Sequence, residues 1–311
     1  MTVIKVNNVT KDYGFGRGVF NVSFEIKKGE VFGYLGPNGA GKTTTIRQLM
    51  GFSKADQGYL SILGLDSRKD SSEILKKVGY LPGEIALYEH LSILEFLDYM
   101  AKLRGVEDLT YMNELINYFE FDTKGRIKRM SLGNKRKLAI VTAFMHDPEI
   151  LLLDEPTSGL DPLMQERFIE FILKEKARGK TILLSSHIFS EVDATCDRIA
   201  IIKDGHIVSE VETKFFKHNE NKSFKIEFND KVSFDDFKNK TEFELVRIQA
   251  EDNQVIAAVH DNDINELFKS LKNLDVKFIS EIKFTLEDYF LDFYDRKKDV
   301  KEGMTGVIHR D

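Results

Sequence analysis

Gly36-Pro37-Asn38-Gly39-Ala40-Gly41-Lys42-Thr43-Thr44 is the stretch whose reading decides the fold. A short apolar run, Val31-Phe32-Gly33-Tyr34-Leu35, leads into it, and a segment with helical spacing, Ile46 to Met50, leaves it. Strand, glycine-rich loop and helix in that order, with G-x-x-x-x-G-K-[ST] between them, predict a phosphate cradle. Gly36, Gly39 and Gly41 let the backbone curl into a nest whose amides, those of Asn38, Ala40 and Thr44 among them, turn toward phosphate oxygens. The helix beginning near Lys42 adds its positive end. Lys42 supplies a mobile charge for the outer phosphates, and the Thr43 hydroxyl is placed to ligand Mg²⁺. A turn that merely capped a helix would not need three glycines, a lysine and a threonine in register. The stretch predicts a nucleoside-triphosphate site.

Working outward, 311 residues make two domains the natural expectation, and a hydrophobic fraction of 42% supports packed cores. The 51 acidic and 45 basic residues leave a formal charge of −6, which argues against a nucleic-acid partner. A single cysteine, Cys196, excludes an intramolecular disulfide and points to a reducing compartment. The opening Met1-Thr2-Val3-Ile4-Lys5 lacks the basic-then-apolar layout of a signal peptide. No run reaches the ~18 apolar residues of a membrane helix.

Residues 3–9 and 19–26 alternate like strands, and Tyr59 to Leu63 and Val78 to Pro82 read as two more. A polar helix is expected around Ser72 to Lys77. Ser92-Ile93-Leu94-Glu95 reads as a capping box, opening a helix with Ile93, Phe96, Leu97 and Met100 on one face. Residues 84–146 therefore form a helical insertion in an α/β frame. Ile150-Leu151-Leu152-Leu153 is too uniformly apolar for a half-exposed strand and reads as a buried parallel one. Asp161-Pro162 is a helix cap with a first-turn proline. Thr181 to Leu184 and Asp197 to Lys203 are further strands. Beyond Gly205 the composition shifts: all five prolines lie at or before Pro162, and no glycine stands between Gly205 and Gly303. The later order β-α-β-β-α-β, closed by a helix from Thr285 to Tyr294, predicts a ferredoxin-like module. The expected domains are 1–215, 216–296 and a charged tail at 297–311.

Asp154 and Glu155 end a buried strand, where the loops of a parallel sheet carry function. Carboxylates there can hold Mg²⁺ and orient an attacking water, since an unpaired charge beside four buried aliphatics is costly. With these residues in hand, the chain closely resembles the ATP-binding subunits of ABC transporters. Leu153 to Pro162 resembles the family's Walker B, catalytic Glu and D-loop run, and Met130-Ser131-Leu132-Gly133-Asn134 resembles its signature motif. Leu184-Ser185-Ser186-His187 matches the switch histidine, and Tyr13 falls where the family stacks an aromatic on adenine. The resemblance covers residues 1 to about 212.

The resemblance implies a P-loop NTPase of the ABC type: an α/β nucleotide-binding domain with a helical subdomain, followed here by a small α+β domain. It implies ATP and Mg²⁺, with Glu155 and His187 catalytic and Asp154 and Thr43 on the metal. Ser131, Gly133 and Asp161 then meet the nucleotide of a second ATP-binding subunit across a two-fold dimer. A polytopic permease is the other partner, holding the chain on the inner face of the membrane. The C-terminal Thr285-Leu286-Glu287-Asp288-Tyr289-Phe290-Leu291 is similar to the branch exporting drugs or antimicrobial peptides. Leu132 and Asn134 depart from the signature, whose serine and second glycine are kept. Gly83-Glu84 stands where the family has its Q-loop glutamine, and either Glu84 ligands the metal or it faces solvent. Asn134-Lys135-Arg136-Lys137 reads as a solvated basic helix face. Two other readings fit a P-loop chain: a soluble ABC ATPase acting on nucleic acid or ribosomes, and a regulatory module that binds ATP without turnover. The intact Glu155 and His187 speak against the second.

Overall fold

Three largely apolar runs form the centre of the main sheet of the first of two units. The computed structural model describes residues 1–217, 221–283 and 285–295, and divides into two compact units, Met1–Thr213 and the residues from Lys214 onward. The first unit begins with β1 (Thr2–Asp12), β2 (Gly18–Lys27), β3 (Val31–Leu35), α1 (Lys42–Leu49), β4 (Gln57–Ile62), β5 (Leu65–Asp66), α2 (Ser71–Lys77) and β6 (Val78–Leu81). Helices α3 (Ile93–Arg104), α4 (Thr110–Tyr118) and α5 (Leu132–Phe144) follow. The unit closes with β7 (Ile150–Asp154), α6 (Pro162–Ala177), β8 (Thr181–Ser186), α7 (Phe189–Thr195), β9 (Arg198–Lys203) and β10 (His206–Glu212).

Every residue of β3, β7 and β8 is buried, as a parallel strand covered on both faces requires. They lie at the centre of a six-stranded sheet ordered β10-β9-β3-β8-β7-β6, parallel except for β10. Because β3, β8 and β7 are neighbours, the loop after β3, the acids ending β7 and the serines ending β8 emerge side by side. This adjacency places the site. A second, antiparallel sheet, β2-β1-β4-β5, shares a core with the first through Phe24, Phe32, Tyr34 and Ile46. The capping box forms as read: Glu95 N donates to Ser92 Oγ at 3.2 Å and Ser92 N to the Glu95 carboxylate at 2.7 Å. Gly105, left-handed at φ 67°, ends α3.

Sequence periodicity omitted β10, α7 and the two-residue β5. β10 alternates between exposed and half-buried positions with charges among them, and it exists by pairing antiparallel with β9. At an edge, tertiary pairing decides more than pattern.

The second unit contains α8 (Lys214–Lys217), β11 (Asn221–Phe228), α9 (Lys231–Lys240), β12 (Glu244–Gln249), β13 (Gln254–His260), α10 (Ile264–Leu271), β14 (Val276–Ile282) and α11 (Leu286–Asp295). Its sheet runs β12-β13-β11-β14, each neighbouring pair antiparallel, which is the ferredoxin-like arrangement expected from the element order. Ile226, Phe228, Phe234, Phe237, Val255 and Leu267 fill its core. α9 starts at Lys231, where Asp230 caps it by accepting from Ser233 N at 2.7 Å. Thr285 and Asp288 form their reciprocal box ahead of α11. Phe284, the Phe293 and Tyr294 side chains and the tail from 297 lie outside the described residues.

Candidate functional site

The loop after β3 closes tightly on its surroundings. A Cβ at Gly36 would fall 2.4 Å from the Ile202 carbonyl oxygen. One at Gly41 would fall 2.5 Å from Val19 Cγ1, and Gly41 sits at φ +110° as the N-cap of α1. Gly36 accepts no side chain without moving backbone, and Gly41, strained for any other residue at its φ, none without displacing Val19, so the loop is shaped by close approach. Pro37, Asn38 and Gly39 are exposed, Ala40 and Thr45 are buried, and Thr43 and Thr44 are half-buried at the start of α1.

Lys42 is 5% exposed. Its Nζ donates to the carbonyls of Gly36 at 2.6 Å and Pro37 at 3.1 Å. The same ammonium approaches Glu155 Oε1 at 2.9 Å, an ion pair without the alignment of a hydrogen bond. Glu155 stands one residue past β7 in a left-handed conformation, φ 47°, and its N–H donates to the Ser185 carbonyl at 3.0 Å. Such backbone costs a residue other than glycine ~1–3 kcal/mol, and it aims the carboxylate across the sheet ends. The second carboxylate oxygen lies 2.6 Å from Nδ1 of His187, which follows β8. Glu155 is thus held between Lys42 and His187.

Asp154, fully buried, accepts a hydrogen bond from Ser185 Oγ at 2.5 Å through Oδ1. Its Oδ2 is buried and has no hydrogen-bond partner. A Cβ at Gly83 would come within 3.1 Å of that oxygen, so the Pro82–Gly83 backbone presses on the carboxylate. An orphaned carboxylate oxygen beside a phosphate loop suits a hydrated cation. Among the described residues no three or more His, Cys, Asp or Glu side chains converge on a metal position. Mg²⁺ tolerates that, because it is usually held by one or two protein groups together with phosphates and water. The orphaned Asp154 oxygen fits that requirement. Glu84 is exposed and stands outside any such cluster.

Tyr13 is half exposed on the turn between β1 and β2, with Lys11 Nζ 5.5 Å from its ring centroid and its hydroxyl 3.5 Å from Ser53 Oγ. Ser131 caps α5, accepting from Asn134 N at 3.3 Å. A Cβ at Gly133 would sit 3.1 Å from the Gly159 carbonyl oxygen, so the start of α5 abuts the loop after Glu155. Asp161 caps α6 through Met164 N at 3.0 Å, the capping role its sequence position predicted. Asn134 is exposed and Lys135 pairs with Glu89 at 2.7 Å, but Arg136 is 2% exposed, so the basic run is not the wholly solvated face expected.

One acid behind the site escaped the sequence reading. Glu191 on α7 is 2% exposed and accepts from Ser186 Oγ at 2.5 Å. Burial pushes its carboxyl up to about 7, opposed by the Ser186 hydrogen bond and assisted by the nearby Glu155 charge. A carboxyl raised from about 4.5 contributes stability fully present below that pH and lost as pH rises through about 7. Glu191→Gln is therefore expected to gain on the parent with rising pH, by up to about 1.4 kcal/mol per unit within the window. Melting curves from pH 4.5 to 8 check this; parallel curves would contradict it.

The ABC transporter family model matches residues 19–158. The bacitracin transport ATP-binding protein BcrA of Bacillus licheniformis is 33% identical over 305 residues, covering 93% of this chain and 96% of that protein. The linearmycin resistance ATP-binding protein LnrL of Bacillus subtilis (strain 168) is 37% identical over 212 residues, covering 67% and 68%. A solved ATP-binding subunit of an ABC transporter superposes with a TM-score of 0.63 at 29% identity, covering 69% of this chain and 92% of that one. The ATP-binding cassette MJ0796, solved as a dimer in a post-hydrolysis state with ADP and Pi, gives 0.61 at 25%, covering 68% and 98%.

Proposed function

Because the chain belongs to the ATP-binding proteins of the ABC transporter family, we propose that its ATPase cycle drives a membrane permease that exports a drug or antimicrobial peptide. The chain binds and hydrolyses ATP with Mg²⁺ and works with a second cassette and a permease. No helix among the described residues is long and apolar enough to cross a membrane, so in this proposal the permease holds the chain at the inner face.

The observation that carries the reading is the Glu155 carboxylate held between Lys42 at 2.9 Å and His187 at 2.6 Å, beside the orphaned Asp154 oxygen. In this reading the Gly36–Thr44 backbone and Lys42 receive the phosphates, and Tyr13 packs on the base. Lys42 must leave Glu155 to do so, which frees that carboxylate for water. Glu155 then orients the water and accepts its proton, while His187 keeps the carboxylate turned toward the reacting phosphate. When bound, Mg²⁺ neutralises phosphate charge; Thr43 and Asp154 would hold it. Ser131 and Gly133 face the nucleotide of a second copy of this chain, whose arrangement is a head-to-tail pair. Bacitracin and linearmycin in the relatives' names support the export assignment. We also assign residues 216–296 as an accessory domain not required for ATP binding.

Reconstitution of the chain with its permease in vesicles tests the proposal. Drug or antimicrobial peptide is expected to stimulate ATP hydrolysis and to move outward, and a chain ending at Thr213 should still bind ATP. Hydrolysis indifferent to every such compound would overturn the export assignment.

A further inference from the structure

Arg136 lies inside the first unit, where its neighbours in sequence suggest a surface. Its guanidinium uses all three nitrogens on backbone carbonyls of two separate loops. Nε donates to Ser158 at 2.9 Å, Nη1 to Pro82 at 2.8 Å and Nη2 to Gly83 at 2.7 Å. No carboxylate makes an ion pair with it among the described residues, yet the charges of Asp154 and Glu155 act on it from further away. A buried cation satisfied only by carbonyls is an expensive way to fill a core position, and removing it would leave three carbonyls without their donor. What the guanidinium provides is geometry: a planar fork that fixes three acceptors at once.

Those three acceptors flank the two site acids. Gly83 is the residue whose Cβ position faces Asp154 Oδ2 at 3.1 Å, so holding the Gly83 carbonyl holds the backbone against that carboxylate. Ser158 donates its own N–H to the Glu155 carbonyl at 3.1 Å, so holding Ser158 closes the turn that carries Glu155 in its left-handed conformation. The next residue, Gly159, is pressed by the start of the same helix, since a Cβ there would lie 2.9 Å from the Leu132 side chain.

We propose that Arg136 is a positioning residue for hydrolysis, setting Asp154 through Gly83 and Glu155 through Ser158 and tying both to helix α5, which begins at Ser131. Gly83 offers no side chain by which its loop could be held, and Arg136 holds that loop by its carbonyls instead. The proposal rests on the ATPase reading above. It differs from a packing role in what a substitution changes, because Arg136 makes no hydrogen bond or ion pair to Lys42 or to the phosphate loop.

The test uses the purified full chain, with the unsubstituted protein and Glu155→Gln as controls for the ATPase reading itself. Arg136→Met keeps the length and apolar stem without the fork. It is expected to lower kcat by about 10–100-fold, the usual cost of a misplaced catalytic group, while the KM for ATP stays within about threefold; the melting temperature falls, because three carbonyls lose their donor. Arg136→Lys keeps the charge but not the fork and should recover part of kcat. A kcat within twofold of the parent in Arg136→Met overturns the proposal, as does a KM for ATP that rises by as much as kcat falls. Should Arg136→Met not fold, Arg136→Lys decides: a lowered kcat at unchanged KM supports the role, and an unchanged kcat refutes it. Absent turnover in the unsubstituted protein would instead count against the ATPase reading.

Discussion

Glu155→Gln is expected to lower the hydrolysis rate by about 10²–10⁴-fold, the usual worth of a positioned general base, without weakening ATP binding. The geometry supports both halves of that expectation. The substitution keeps the shape of the side chain and can keep the contact with His187 at 2.6 Å, but it removes the charge that meets Lys42 at 2.9 Å. Phosphate and the Glu155 carboxylate compete for the same ammonium, so removing one competitor leaves ATP affinity equal or higher. Binding without turnover should then let the paired cassette accumulate, visible as a dimer in size-exclusion chromatography with ATP. Near-normal turnover of the purified variant would remove Glu155 from the chemistry.

The frame of this arrangement was readable from residues alone because its parts are local. Val31 to Leu35, Ile150 to Leu153 and Ile182 to Leu184 are apolar without alternation, as strands of a doubly covered parallel sheet are. Each is followed directly by its polar cargo, so naming the strand also located the loop. Arg136 could not be found that way. Its acceptors lie 22 and 53 residues away at Ser158 and Gly83, and the helical period does not reveal which of four successive polar residues turns inward. Glu191 was hidden for a related reason. A lone glutamate on a short helix reads as solvent-facing until β8 brings Ser186 against it. The Gly83-Glu84 ambiguity has the same origin: the chain shows that a side chain is missing at 83, but only packing shows that backbone there already lies against Asp154.

Replacing Lys42 with methionine should have the larger effect on binding: ATP affinity is expected to fall by about 10²-fold or more. Methionine matches the apolar stem, and at 5% exposure the change is mainly the loss of one charge. A hydrogen bond to a charged group contributes about 1.5–3 kcal/mol, and two phosphate contacts of that kind amount to at least two powers of ten in affinity. The fold loses one buried contact, since the Gly36 carbonyl no longer meets Lys42 at 2.6 Å, whereas Pro37, whose carbonyl Lys42 met at 3.1 Å, is exposed. Arginine should not rescue. Its guanidinium is planar and bulkier than an ammonium, and the space it would need lies beneath a loop with Gly36 already against Ile202. The readout is the melting temperature with and without ATP. A ligand that binds only the folded state stabilises it by RT ln(1 + [L]/Kd), so at an ATP concentration about ten times the parent's Kd the parent's shift should all but vanish in Lys42→Met and Lys42→Arg alike. A full shift in Lys42→Met would mean that the backbone nest alone holds the phosphates and that Lys42 serves only to hold Glu155.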